Sequence, residues 1–415
     1  MSEARSATSP RLQPAALRPH YQQFLQRRDA CSDGSTMTRR ILLTGHSHQA
    51  WPDVARAALL QCFDDAALHV DDKWGAAFAA VDAVRAAIVD RIGGRKDEYA
   101  FGSSTHELVA RFLSGLDLRR RRHIVTTSGE FHSLHRQLRR LAEEGVEVTW
   151  VPAQPVGTLA GRMARALRPN TAAVMASTVL FETSEVVPHL SGLTLAAHQV
   201  GASVLYDAYH AFSVLPFSLA ALGPDPIFLT AGGYKYAQWG EGVCFLRVPP
   251  GTAMRPLYTG WFAAFASLSD RRTDAAVPYP DEGAWRFAGS TFDPSSFYRA
   301  RAVCRFFDEQ HLTVPALRQL SLHQTDRLRQ RLLDAPRRPQ QAAMQLVTPS
   351  DPSAHGGFLT LRIAQADRVV DALRQQGVYV DSRGDLLRIG PAPYVLDEEL
   401  DLAVDLLRDA LTARR

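Results

Sequence analysis

Cysteine is scarce in this chain: Cys31, Cys62, Cys244 and Cys304 are widely spaced along 415 residues, with no CxxC pair. That pattern favours reduced thiols in a cytoplasm over a disulfide framework. Long apolar runs are missing as well. No stretch approaches the roughly 18 residues that a membrane span needs, and the N-terminus lacks the apolar core of a signal peptide. Neither sign of charge dominates: 47 Lys and Arg stand against 43 Asp and Glu, a net +4. This balance argues against a nucleic-acid or membrane partner. The run Arg119–Arg122 is local and reads as a solvated surface between a helix and a strand. His132 and His135 have no third ligand in matching context, so no metal is expected. Repeats and low-complexity tracts are absent.

What the chain does have is an ordinary globular composition, 46% hydrophobic and 22% charged, at a length that favours two domains. Residues 1–38 are polar and irregular and read as an N-terminal arm. Residues 39–285 form the larger unit. Trp51-Pro52-Asp53 opens a helix that runs through Cys62. A second helix over 76–92 carries Phe78, Val81, Val84, Ile88 and Ile92 at helical spacing and stops at Gly93-Gly94. Strands then alternate with helices. Strands are predicted at 123–127, 147–151, 172–177 and 203–207, with helices at 132–144, 158–167 and 191–200. Such alternation predicts an α/β fold with a mostly parallel sheet covered on both faces. Residues 286–415 change pattern, to helices at 295–309, 313–333 and 397–412 and strands at 358–363 and 386–389. They read as a smaller α+β domain.

Ligands in open α/β sheets gather at the carboxyl ends of strands, and four such ends carry chemistry here. In FGSSTHELVARF, Ser104 and Thr105 precede a helical pattern, whose free N–H groups suit a phosphate; helix capping alone also explains them. In TTSGEFHSLH, Phe131 follows a strand end and could lie against a planar ring or simply join the core. In VLYDAYHAF, Asp207 ends an apolar strand with His210 three residues on. A buried aspartate needs a charged partner, and a protonated pyridine would serve; capping of the next segment is the alternative. In TAGGYKYAQW, Lys235 follows a short strand at 227–230 and a glycine turn, with Tyr234, Tyr236 and Trp239 close in sequence. Aromatic neighbours would desolvate the ammonium and lower its pKa, as an amine nucleophile requires. Phosphate cradle, ring face, aspartate and lysine together match the needs of pyridoxal 5'-phosphate.

These residues resemble the class V branch of the aminotransferase-fold (fold type I) pyridoxal-phosphate enzymes, and within it most closely the kynureninases. The likeness runs over roughly residues 40–410, weakly except at motifs. GGYKY resembles the family's Schiff-base motif, which implies Lys235 as the cofactor lysine and Tyr234 as a phosphate contact. YDAYH is similar to its D-x-x-H motif, implying that Asp207 holds the pyridinium nitrogen and His210 lines the site. By the same resemblance Phe131 stacks on the cofactor, and Ser104 and Thr105 bind its phosphate. GWF implies that Trp261 reaches the phosphate of a neighbouring subunit. RIGPAP resembles R-x-A-P-x-P, implying that Arg388 clamps the substrate α-carboxylate. His69 in LHVDDKW aligns loosely with a substrate-pocket histidine.

Three departures stand beside the likeness. Leu134 occupies the place of a family aspartate, Thr291 that of an asparagine which recognises the kynurenine side chain, and Gly45-His46-Ser47 that of a GNS motif. They leave the cofactor untouched and open the question of the side chain; His46 and His48 either face the substrate or pack a domain interface. The implied activity is hydrolytic C–C cleavage of L-kynurenine or a related γ-keto amino acid to alanine and an acid. The alternative is class V transamination, epimerisation or elimination on another amino acid. A homodimer with shared sites, to which Trp261 and Thr291 contribute across the interface, is implied by the same resemblance.

Overall fold

The computed structural model describes residues 12–27, 38–267, 276–281, 283–334 and 344–412. At its centre is a seven-stranded sheet of β1 (Tyr99–Gly102), β2 (His123–Thr127), β3 (Glu147–Val151), β4 (Thr171–Ser177), β5 (Ser203–Asp207), β6 (Phe228–Gly232) and β7 (Cys244–Arg247). The spatial order is β1-β7-β6-β5-β4-β2-β3. β7 runs antiparallel to both neighbours, and the remaining pairs are parallel. β2, β4, β6 and β7 are buried along their full lengths. Strands covered on both faces are rich in apolar residues, and apolar side chains predominate in β4, β6 and β7.

The connecting helices are α1 (Val54–His69), α2 (Trp74–Ile92), α3 (Thr105–Ser114), α4 (His132–Glu143), α5 (Leu159–Arg165) and α6 (Leu190–Gln199). α4 shows why the pattern was readable: Leu134 and Leu138 are buried while Arg136, Arg139 and Arg140 are not. After α7 (Ser295–Glu309) and α8 (Val314–Leu333) comes a four-stranded antiparallel sheet. It contains β8 (Gln345–Leu346), β9 (Leu359–Arg362), β10 (Asp381–Arg383) and β11 (Leu386–Ile389), in the order β8-β9-β11-β10. α9 (Ala366–Gln375) and α10 (Asp397–Thr412) complete it.

Two sets of hydrogen bonds dock this second sheet onto the first. Thr360 Oγ1 donates to the Glu182 carbonyl at 2.8 Å, and Thr348 Oγ1 to that of Thr183 at 3.0 Å. The segment Leu43–Gly45 runs beside Gly390, with Gly390 N donating to Leu43 O at 2.7 Å and Gly45 N to Gly390 O at 2.8 Å. Both sets converge on the carboxyl edge of the central sheet.

The reading of residues 1–38 as irregular needs correction. Pro14–Leu17 and Gln22–Leu25 are helical turns, and Leu17, Tyr21 and Leu25 are buried. Four-residue spacing puts these apolar side chains on one face, and Tyr21 Oη donates to Gln238 Oε1 at 2.6 Å. Residues 1–11 and 28–37, Cys31 among them, lie outside the described residues. Among the described residues no helix is long and apolar enough to cross a membrane.

One glycine sets how closely the strands near Lys235 approach. A Cβ on Gly232 would collide with the Tyr209 hydroxyl and the Cys244 Sγ. Gly232→Ala should therefore destabilise the protein by ~1–3 kcal/mol through overpacking, read as a fall in the thermal midpoint; an unchanged midpoint would contradict this packing.

Candidate active site

The order of the strands assembles the site. β2, β4, β5 and β6 are consecutive neighbours in the sheet. Their carboxyl ends lead to Glu130 and Phe131, to Ser177, to Asp207 and to Lys235, so residues remote in sequence lie side by side.

Lys235 is 5% exposed. Its Nζ is 2.8 Å from His210 Nε2 and 5.0 Å from the ring centroid of Tyr209. The Phe131 and Tyr234 centroids are each 5.8 Å away. Burial pulls the amine from 10.5 down to about 7, against the opposing field of Asp207. A substantial fraction of this amine is thus the free base at neutral pH. His210 is buried too. Burial holds its imidazole well below 6.5, with the positive fields of Lys235 and Arg388 acting in the same direction.

Asp207 is partly accessible from the cleft. Its Oδ1 accepts the Tyr209 N–H at 2.8 Å. Burial raises its pKa, opposed by that hydrogen bond and by the Lys235 charge. Tyr234 is half-buried, its ring 4.7 Å from those of Tyr209 and His48. Phe131, also half-buried, meets Phe181 edge-on at 5.3 Å.

At the start of α3, Ser104 Oγ accepts the Glu107 N–H at 3.3 Å, and Glu107 Oε2 accepts the Ser103 N–H and Oγ–H, both at 2.9 Å. Capping is therefore real here. The Thr105 N–H faces the Cys244 thiol, which places the positive end of α3 at the Tyr209 side of the cleft.

Arg388, on β11, is 2% exposed. Its Nε and Nη2 grip both oxygens of Asp381, and Nη1 donates to the Phe181 carbonyl at 2.7 Å. Asp381 Oδ1 also lies 2.8 Å from His46 Nε2. Burial would raise Asp381, yet the His46 and Arg388 hydrogen bonds hold it well below the usual carboxylate range. His46 is fully buried and stacks on Phe358 at 4.6 Å. Burial, then the Arg388 charge, holds it at about 4, so its ring is neutral near pH 7.

The chain thus brings together Lys235, His210, Asp207, Phe131, Tyr234, Arg388 and His46, with Ser104 and Thr105 at one edge. Three expected residues stand apart. Trp261 is 43% exposed and stacks on Phe265. Thr291 is exposed at a cavity of about 680 Å³ lined by Phe78, Phe262 and Phe292. His69 ends α1, exposed, before the turn Val70–Lys73. Leu134 belongs to the core, 6% exposed. Sequence reasoning missed Asp381 and Glu130. Asp381 lies on a three-residue strand too short for a periodic signal. Glu130 precedes Phe131 and could have been noticed as a carboxylate at a strand end. Among the described residues no group of three His, Cys, Asp or Glu side chains could hold a metal.

These residues fit pyridoxal phosphate. The amine is buried and lowered in pKa, an aromatic ring faces it, and burial raises the half-buried Asp207 carboxyl.

Comparison with known proteins agrees. The family described as aminotransferase class-V matches residues 69–386. A kynureninase of Xanthomonas campestris pv. campestris is 30% identical over 233 residues, 54% of this chain and 52% of that protein. One of Xanthomonas oryzae pv. oryzae is 30% identical over 288 residues, 65% of this chain and 66% of that protein. The chain thus spans only about half to two thirds of these relatives. In fold it is similar to the cystine C-S lyase C-DES, at TM-score 0.77 and 18% identity, covering 89% of this chain and 97% of that one. The cysteine desulfurase CsdA of Escherichia coli has TM-score 0.75 at 15% identity, covering 97% and 99%.

Lowering of the Lys235 pKa has a thermodynamic signature in the cofactor-free protein. Between about pH 7 and pH 10 the unfolded chain holds this proton and the folded chain does not, so stability rises with pH. Lys235→Met lacks that dependence. Urea unfolding should show wild type gaining on Lys235→Met across this window, and parallel curves would contradict the shift.

Proposed function

The chain belongs to the class-V aminotransferase family and its cofactor is pyridoxal 5'-phosphate; within that family we propose that it is a hydrolytic carbon–carbon lyase of the kynureninase type. Its substrate would be L-kynurenine or a related γ-keto amino acid, released as alanine and an acid. The observation that carries this reading is the 2.8 Å contact between Lys235 Nζ and His210 Nε2, with burial pushing both groups toward neutrality. The kynureninase relatives support it.

Roles follow from the positions. Bound at Lys235, the cofactor supplies an electron sink for the substrate's α-carbon. Asp207 keeps the ring nitrogen protonated, and Phe131 covers the ring face. Ser104, Thr105 and Tyr234 hold the phosphate. Lys235 would hold the cofactor through its amine and would carry the substrate's α-proton. His210, neutral and beside Lys235, takes a proton from the water that attacks the γ-carbonyl. Arg388 offers the substrate α-carboxylate a planar fork, which the substrate must share with Asp381 or take from it. His46 and Phe358 then face the side chain. In this reading residues 39–285 are the cofactor-binding domain, and 286–415 carry the Arg388 arm.

A second reading, transamination, epimerisation or elimination on another amino acid, draws on Leu134 and Thr291. Desulfuration is disfavoured among the described residues. It needs an accessible thiol of low pKa, whereas burial pushes Cys244 to about 12 and Cys304 to about 11 and also raises the half-buried Cys62 on α1.

We also propose a homodimer that completes the site. α1 leaves Leu60, Phe63 and Leu68 at 57%, 72% and 75% exposure, and Leu257 and Trp261 are exposed too. Apolar side chains on this scale suit burial against a second copy. Trp261, Thr291 and His69 would serve the partner's site.

Incubation of the loaded enzyme with L-kynurenine and 3-hydroxykynurenine should yield alanine with the matching anthranilate. No product from either removes this substrate class, and a keto acid instead would favour transamination. Arg388→Lys should raise KM roughly tenfold or more, about 1.4 kcal/mol of lost binding, with a smaller effect on kcat; an unchanged KM would remove the clamp. Sedimentation equilibrium should give twice the 45.8 kDa chain mass, and the single-chain mass would refute the dimer.

A further inference from the structure

A second carboxyl lies close to Asp207 and has no part in the roles above. Glu130 is 3% exposed. Its Oε1 accepts the Ser177 N–H at 2.9 Å and its Oε2 the Ser177 Oγ–H at 2.7 Å. Ser177 ends β4 as the parallel-register partner of Asp207 at the end of β5. The next residue ties the two ends again, Thr178 N donating to the Asp207 carbonyl at 2.8 Å. Glu130 also precedes Phe131 directly. Its side chain thus ties the end of β2 to the end of β4, beside the end of β5.

An uncharged amide in this place could accept one Ser177 hydrogen bond on its oxygen and would donate to the Ser177 hydroxyl from its nitrogen. What distinguishes a carboxyl here is the field it shares with Asp207. Among the described residues Glu130 forms no ion pair, and the titratable group facing it is Asp207, with Lys235 and His210 beyond. His132, on α4, packs instead against Phe181. Burial is the main cause that lifts Glu130 to about 8, and the Asp207 charge adds to it.

We propose that Glu130 is a positioning residue of the ring-nitrogen site: the second carboxyl of a Glu130–Asp207 pair that sets how strongly Asp207 holds the proton on the cofactor's ring nitrogen. While Glu130 keeps its proton, its O–H turns to donate to the Ser177 hydroxyl and it adds no negative charge beside Asp207. When Glu130 ionises, the pair presents two negative charges and the cation facing Asp207 is held more tightly. This inference rests on the cofactor and not on the substrate, so failure to cleave kynurenine leaves it standing.

The test compares wild type, Glu130→Gln and Glu130→Asp, each loaded with pyridoxal phosphate, by visible absorbance of the bound cofactor from pH 6 to pH 10. Wild type should show a spectral step centred near pH 8. Glu130→Gln should lack it, and Glu130→Asp, too short to keep both Ser177 contacts, should show it displaced. A merely structural glutamate would leave the step in place in every variant, and that result, or no step in wild type, overturns the proposal. The cofactor-free proteins give an independent reading should Glu130→Gln load poorly. A carboxyl raised by folding stabilises at low pH, and that contribution is lost as pH rises toward its folded pKa. Wild type should therefore lose stability relative to Glu130→Gln between about pH 5 and pH 8. Parallel stability profiles would count against the proposal.

Discussion

Everything in the site depends on placing one amine where water cannot fully solvate it. An ammonium surrounded by rings loses hydration that the cation–π attraction of those rings only partly restores. Lys235 meets that condition among Tyr209, Tyr234 and Phe131. His210 contacts the amine directly without supplying the negative charge that would hold it as an ammonium. Asp207 does supply negative charge, but it is itself short of water. The pair is therefore poised between charged and neutral forms, as an amine that must attack a carbonyl and later carry a proton requires.

The fold achieves this by geometry more than by individual contacts. A parallel sheet sends its strand ends to one edge, and this one makes neighbours of the strands that lead to Glu130, Ser177, Asp207 and Lys235. The opposite wall comes from elsewhere in the chain. Asp381 joins Arg388 to His46, tying β11 to the segment beside Gly390. The resulting wall carries a cation whose fork is already engaged, next to an imidazole held neutral. Such an arm is preorganised, since its rotamers are fixed before any ligand arrives.

Much of this was legible in the sequence because local pattern and global fold agree. The strands at 123–127, 147–151, 203–207 and 386–389 fall on the residues expected, since short β-branched or apolar runs between helices have few other uses. The lysine turn was legible because glycine, lysine and aromatics occur together in one short stretch. The Arg388 motif was visible too, but not its engagement with Asp381, because a two-strand pairing seven residues apart depends on the register of a short hairpin. His46 could be seen as a departure but not placed, since its position comes from a parallel pairing with Gly390 far along the chain. His69 could not be placed for the converse reason: a loose motif match carries no information about which way a helix end points. The helical turns at Pro14–Leu25 were missed because a few apolar residues become helical only when a core receives them.

The most direct test of this account is the acidity of the Lys235 amine in the protein without cofactor. Competitive acetylation over a pH series, read by mass spectrometry of the peptide containing residue 235, gives the midpoint of its reactivity. The account predicts a midpoint near pH 7, well below the ordinary lysine value. A midpoint near 10.5 would mean that the amine is fully hydrated, and would contradict it.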